Sequence, residues 1–183
     1  MSQVIQNQGL KPSDEADEVQ IRLAKKQGQA IQEALNNMTQ KEAHGGQKEA
    51  GDYMIAWANE KAEGMYMLRN GQLKWEEPQG ENTHLEIAVL SAADGRFVPG
   101  LVVYATLIDR NGNKIGMHQQ PFLWHPWLYH YGRNWQVPDE GPYTLQIRVE
   151  IPEFPRHDKT NGKIFSEPVE VEFPDIKLEL GKK

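Results

Sequence analysis

The chain contains no cysteine. That excludes a disulfide framework, a thiolate zinc site, an iron–sulfur cluster and a blue-copper centre, all of which need cysteine sulfur. It leaves the compartment open, because reducing cytosol and oxidising periplasm both tolerate a cysteine-free chain. Positive charge is also scarce. Twenty Lys and Arg stand against 26 Asp and Glu, a net charge of -6. Nucleic-acid binding needs a basic face, and this balance argues against one. Long apolar runs are missing too. No stretch approaches the ~20 residues of a membrane helix, and residues 1–18 carry no apolar run of the kind a signal peptide needs. Read as given, the chain has neither membrane span nor leader, which is compatible with a cytoplasmic protein or with one whose leader has been removed.

At 183 residues, of which 38% are hydrophobic, there is material for one domain and a short extension. The chain divides near residue 46. Residues 1–46 read as a helical or flexible N-terminal extension and residues 47–183 as a β domain. Ser13 to Glu42 is rich in Gln, Glu, Lys and Ala, which favour helix. Ser13 after Pro12 suits an N-cap, and Asp14, Glu15 and Asp17 suit the positive end of a helix. Val19, Leu23, Ile31, Leu35 and Met38 make a thin apolar stripe that Gly28 interrupts. The expectation is a solvated helix, docked weakly or not at all, ended by a linker at His44–Gln47.

Downstream the pattern becomes short and alternating. Tyr53–Ala58, Met65–Leu68, His84–Ser91, Leu101–Asp109, Tyr143–Ile151, Val169–Phe173 and Ile176–Leu180 read as strands. Asn70-Gly71, Asp94-Gly95, Asn111-Gly112, Glu140-Gly141-Pro142 and Asn161-Gly162 read as turns. Strands at this spacing without intervening helices predict a mainly β protein, an antiparallel sandwich.

Histidine carries the chemistry. Five of six lie between positions 84 and 157. In His84-Leu85-Glu86, residues two apart on a strand share a face, so one imidazole and one carboxylate project together, half of a first-row metal site. Such a pair also occurs by chance on ordinary surfaces. Phe122–Trp135 holds His125, His130 and three of the five tryptophans. Pro121, Pro126 and Gly132 make it read as an irregular loop. Loops of this composition are sites, interfaces, or plugs closing one end of a sandwich. In Phe154-Pro155-Arg156-His157-Asp158 the histidine, taken alone, reads as an exposed turn residue.

Together, His84-Leu85-Glu86, then His130-Tyr131-Gly132-Arg133-Asn134, then Arg156-His157, then Glu167-Pro168 before an alternating strand, resemble the periplasmic high-affinity iron-transport accessory proteins and a related spirochaete metal-binding lipoprotein. The resemblance covers about residues 53–173. It implies an immunoglobulin-like β-sandwich and a homodimer. It also implies copper(II), or iron or manganese in its place, bound near the dimer interface, and a role in presenting iron to an iron permease. The ligands it implies are His84, Glu86, His130 and His157. Two departures stand out. The family methionine seven residues before the His-Tyr-Gly histidine falls on Leu123, or on Phe122 if prolines are aligned; Met117, His118 and His125 are the additional candidate ligands nearby. The strand after His-Leu-Glu reads Ile87–Ser91 and lacks the family's further Asp and His.

Imidazole and carboxylate without thiolate suit copper(II), iron, zinc, nickel or manganese, with copper(II) bound most tightly. Ligand histidines must be neutral, so affinity is expected to fall as pH drops through about 6.5. Tyr131, Asn134 and Arg156 are candidates for orienting the ligands. A different reading makes the domain a recognition module in which Trp124, Trp127, Tyr129, Tyr131 and Trp135 stack on carbohydrate or dock a partner protein. An enzyme is not expected: there is no helical His-Glu-x-x-His, nucleophile elbow or phosphate loop.

Overall fold

The computed structural model describes residues 9–42 and 44–183. One α-helix, α1 (Glu18–Asn37), runs into a π-helical turn (Met38–Glu42) and is followed by β1 (His44–Ala50), β2 (Tyr53–Glu60), β3 (Met65–Arg69), β4 (Gln72–Glu76), β5 (Thr83–Ser91) and β6 (Val103–Ile108). Then come β7 (Lys114–Gln120), β8 (Phe122–Leu123), β9 (His130–Trp135), β10 (Tyr143–Val149) and β11 (Val169–Ile176). A five-stranded sheet, β1-β2-β5-β9-β8, faces a four-stranded sheet, β11-β10-β6-β7, with every named pairing antiparallel. This is the mainly β sandwich that the alternation predicts. Its core is the inward set of both sheets, including Tyr53, Ile55, Leu85, Ile87, Val103, Leu145 and Ile147.

Several local expectations change. The linker at His44–Gln47 is the start of β1, paired with β2 from His44↔Asn59 onward, so the sheet begins before residue 47. The aromatic stretch is irregular only from Trp124 to Tyr129; Phe122–Leu123 is β8, and His130–Trp135 is strand β9, laddered to β5. Its alternation was hidden because Tyr131 and Trp135 enter the core while His130, Gly132 and Asn134 take the other face. The alternating tail after Ile176 forms no ladder, although Leu178 is buried and its N–H donates to Glu140 O. β3 and β4 form a separate ribbon with Tyr66↔Trp75 and Leu68↔Leu73 cross-strand pairs, turned by Asn70-Gly71, both at positive φ.

The helix corrects the sequence reading most. Asp17, not Ser13, caps it: its side chain accepts from Gln20 N–H, while Gln20 Oε1 accepts from Asp17 N–H. Ser13 closes the preceding turn and donates to Asp158. Val19 and Leu23 are exposed; Ile21, Ala24, Gly28, Leu35 and Met38 are buried. That stripe lies on the outer face of the five-stranded sheet, where Leu35 and Met38 pack on Ala56, Ala58, Ala88, Leu90 and Leu128. The helix is therefore firmly docked. Gly28 does not interrupt the stripe but permits it, since a Cβ there would lie 1.6 Å from Asp94 O. Gly28→Ala gains about 1 kcal/mol of helix propensity but must push backbone apart. We expect a net loss of about 1–3 kcal/mol, read as a Tm lower by several degrees, with the helix becoming sensitive to protease.

Candidate metal centre

Strand alternation builds the site. On β5 the residues Leu85, Ile87 and Val89 point into the core, so His84 and Glu86 point outward with Ala88 and Leu90. Register then sets the neighbours. His84 pairs with Asn134 and Glu86 with Gly132 on β9; Glu60 and Ala58 oppose them on β2. The helix covers the Ala88–Leu90 end of this face. Glu86 lines a cavity of about 160 Å³ together with Met38, Glu60, Glu63, His125 and His130, among others, and His84 is fully buried beside it.

Donor atoms of His84, Glu86 and His130 all lie within 4.8 Å of one another, and the three residues are buried. Each imidazole has one nitrogen already used. Leu128 O lies 3.2 Å from His130 Nδ1. A carbonyl only accepts, so Nδ1 carries the proton and Nε2, 3.7 Å from Glu86 Oε1, keeps its lone pair. For His84 the argument runs through Asn134. Its Nδ2 donates to Glu63 O and its Oδ1 accepts from Glu63 N–H, which fixes which amide atom is which. The Oδ1 also lies 3.0 Å from His84 Nδ1. His84 Nδ1 therefore donates, and His84 Nε2 is left buried with no hydrogen-bond partner among the described residues. Two imidazoles thus present bare Nε2 atoms to one space, as metal-binding histidines do.

The space between them is kept by Gly132. A Cβ there would come 3.1 Å from His84 Nε2 and 3.2 Å from His130 Cδ2. An ion with ligand distances of about 2.1 Å sets donors roughly 3 to 4 Å apart, so small side-chain adjustments close the group. An orphaned buried nitrogen, a reserved gap and a carboxylate together fit a first-row divalent cation. Burial pushes both imidazoles down to about 4; for His130 the neighbouring His84 adds to the effect. They stay neutral well below the pH near 6.5 expected from the sequence, so proton competition for these two ligands moves to more acidic pH.

The other candidates divide. His125 is at the site: its ring centroid is 5.6 Å from that of His130 and it lines the cavity. Leu123, at the family's methionine position, is the β8 partner of His130 and puts an alkyl group where sulfur was expected. His118 is on β7 of the other sheet, its ring 4.6 Å from that of Trp135, and Met117 beside it is exposed; neither reaches the cluster. His157 is not in the cluster either. It is exposed and paired with Glu15 at 2.9 Å. Its loop joins the far end of the sandwich, where Phe165 N–H donates to Asp52 and Ser91 ends β5. The seven steps from His84 to Ser91 span roughly 20 Å at strand rise. Tyr131 faces the core, donating to Val98 O and accepting from Leu101 N–H, and Arg156 donates to Ile164 O and Phe165 O. Neither is hydrogen-bonded to His84, Glu86 or His130. Nor do the five aromatic rings form one platform: Trp124, Trp127 and Tyr129 are exposed, whereas Tyr131 and Trp135 are core. Sequence reasoning missed Glu63, which no motif marks. Its only signal is its nearness in sequence to Glu60 at the end of a strand opposite His84.

Asn134 is the orienting residue that the structure supports. Asn134→Ala frees His84 Nδ1 and the Glu63 backbone at once. We expect metal affinity to fall about 10- to 100-fold, measured by calorimetry.

Fold and site define a β-sandwich that carries a histidine–carboxylate group on the outer face of one sheet. The chain belongs to the Fe2+ transport protein family, whose model matches residues 41–179. Among solved structures it is similar to "as isolated" FetP of uropathogenic Escherichia coli strain F11, recombinantly expressed in the periplasm of E. coli BL21(DE3), with 19% identity over 74% of this chain and 94% of that one and a TM-score of 0.60. It is also similar to the copper-reconstituted P19 protein of Campylobacter jejuni, with 22% identity over 75% and 96% and a TM-score of 0.61. A copper-bound variant of the same FetP gives 18% identity over 73% and 95% and a TM-score of 0.57. No curated protein sequence matches. Among the described residues no helix is long and apolar enough to cross a membrane.

Proposed function

We propose that the protein is a metal-binding accessory of iron uptake that carries one copper or iron ion on His84, Glu86 and His130 and presents metal to an iron permease, without catalysing a covalent reaction. The observation that carries this reading is the pair of buried imidazoles with both Nε2 atoms turned into the gap that Gly132 keeps open. Copper-bound FetP and P19 support copper as one cargo. The same donors accept iron, manganese and zinc. The periplasmic setting in this reading is the one that the family resemblance implies. The working form in this reading is a homodimer. His157 lies about one sheet length from its own cluster, and a two-fold running the copies antiparallel gives its exposed imidazole a route to the partner's cavity. Exposed Trp124 and Trp127 beside His125 are read as the surface offered to the permease, since aromatic residues are frequent interface anchors.

The test is calorimetric titration of chelator-stripped protein. One Cu(II) or Fe(II) per chain, with no turnover of hydrolytic substrates, is the expected result. Absence of binding for both ions overturns the reading.

A further inference from the structure

The cavity has a fourth wall that no motif marks. Glu63 Oε1 lies 3.8 Å from His84 Nε2, the buried nitrogen without a hydrogen-bond partner. That separation is too long for a hydrogen bond and is one that two donors on a single cation span; Glu63 stands outside the tighter group of His84, Glu86 and His130, so its side chain must turn inward to join them. The same Asn134 amide that orients His84 also binds both backbone polar groups of Glu63. Imidazole and carboxylate are therefore placed by one side chain.

The other oxygen of Glu63 has a cation already. Lys183 Nζ is 3.2 Å from Glu63 Oε2 and is also paired with Glu60. Its position is built. Gly181 O accepts from Ala62 N–H at 3.0 Å and Ala62 O accepts from Lys183 N–H at 2.9 Å, so the chain segment 181–183 is laced to the segment that bears the two carboxylates. A half-buried carboxylate is costly without a counter-charge, and burial indeed raises the Glu63 pKa. The ammonium supplies that counter-charge in the metal-free protein.

We propose that Glu63 is a fourth protein donor to the ion held by His84, Glu86 and His130, and that Lys183 occupies its carboxylate until the ion arrives. The inference rests on the metal-binding reading above. It also sets a preference. With Leu123 opposite His130, the family's sulfur position offers no donor, and a second carboxylate oxygen takes a place in the set. Two imidazoles and two carboxylates form a harder site, better suited to Mn(II) and Fe(II) than a site with a thioether, and poorly suited to Cu(I).

The experiment is calorimetry with Mn(II) and with Cu(II) on the full chain, comparing unaltered protein, Glu63→Gln, Lys183→Gln and the double variant. Glu63→Gln is expected to weaken Mn(II) by about tenfold or more and Cu(II) by less, because Cu(II) is held chiefly by imidazole. Lys183→Gln is expected to tighten Mn(II) several-fold, and that gain is expected to vanish in the double variant. Manganese electron resonance of the loaded protein reads the change in coordination independently of affinity. If unaltered protein binds and Glu63→Gln, folded by circular dichroism, binds Mn(II) with unchanged affinity and spectrum, the proposal is overturned while the metal-binding reading stands. If Lys183→Gln tightens binding equally with and without Glu63, the reserve role is overturned. If the unaltered protein binds neither ion, both readings fall.

Discussion

Replacing either His84 or His130 with alanine is expected to lower Cu(II) affinity by about 100-fold or more, beyond the 10- to 100-fold that losing an orienting residue costs. Each imidazole supplies one of three clustered donors, and each arrives with its tautomer set by a fixed acceptor. Of the clustered three, one imidazole and one carboxylate are left after substitution, a much weaker set for Cu(II), which is held chiefly by imidazole. Misfolding is a weak competing explanation, at His84 above all. There the substitution removes a buried nitrogen that has no hydrogen-bond partner among the described residues, so the metal-free protein loses packing and the one hydrogen bond from His84 Nδ1 to Asn134 Oδ1 but also sheds an unsatisfied buried atom. The clean readout is the metal-dependent rise in stability. A ligand at 100 times its Kd adds about 2.7 kcal/mol to the folded state. That increment is expected in the unaltered protein and absent from both variants, whatever their metal-free Tm. A full increment in both variants would remove these histidines from the site.

The second large effect is on the metal-free protein and acid. His84 and His130 sit at about 4, held down chiefly by burial, against an ordinary value of 6.5. The unfolded chain therefore binds protons at these residues before the folded chain does. Stability is at its full value above pH 6.5 and drains away as pH falls towards 4. At about 1.4 kcal/mol per pKa unit the two imidazoles account for about 3 kcal/mol each as an upper bound. Their proximity means that they titrate as a pair. Glu63 works the other way, because its raised pKa favours the folded state as pH falls, and it offsets part of the loss. Urea midpoints measured between pH 7 and 4 are expected to drop steeply, and the slope is expected to flatten in a His84→Gln/His130→Gln variant. An unchanged midpoint across this window would show that the rings are solvated.

The sequence makes half of the site legible for a definite reason. His84 and Glu86 are local: a period of two places them side by side without any knowledge of the fold. His130 is legible only through its motif. That it meets His84 depends on β5 pairing with β9, a long-range register that composition does not encode. His157 is the converse case. Its motif is present, yet within one chain it lies at the far end of the sheet, paired with Glu15. Asn134 was chosen for its place in the motif, and the structure gives it a stronger role, since one amide sets both His84 and Glu63. From sequence the helix reads as weakly docked because its buried face is made partly of small residues, Ala24 and Gly28. Large apolar Val19 and Leu23, which dominate a periodicity count, lie on the wet side.

Met38 ends the docked helix, and the same side chain forms part of the cavity wall beside Glu86 and His130. The leading segment thus contributes a side chain to the cavity wall as well as covering the sheet. Cutting the chain just before β1 would leave both sheets intact in principle, yet open the compartment to bulk water on one side.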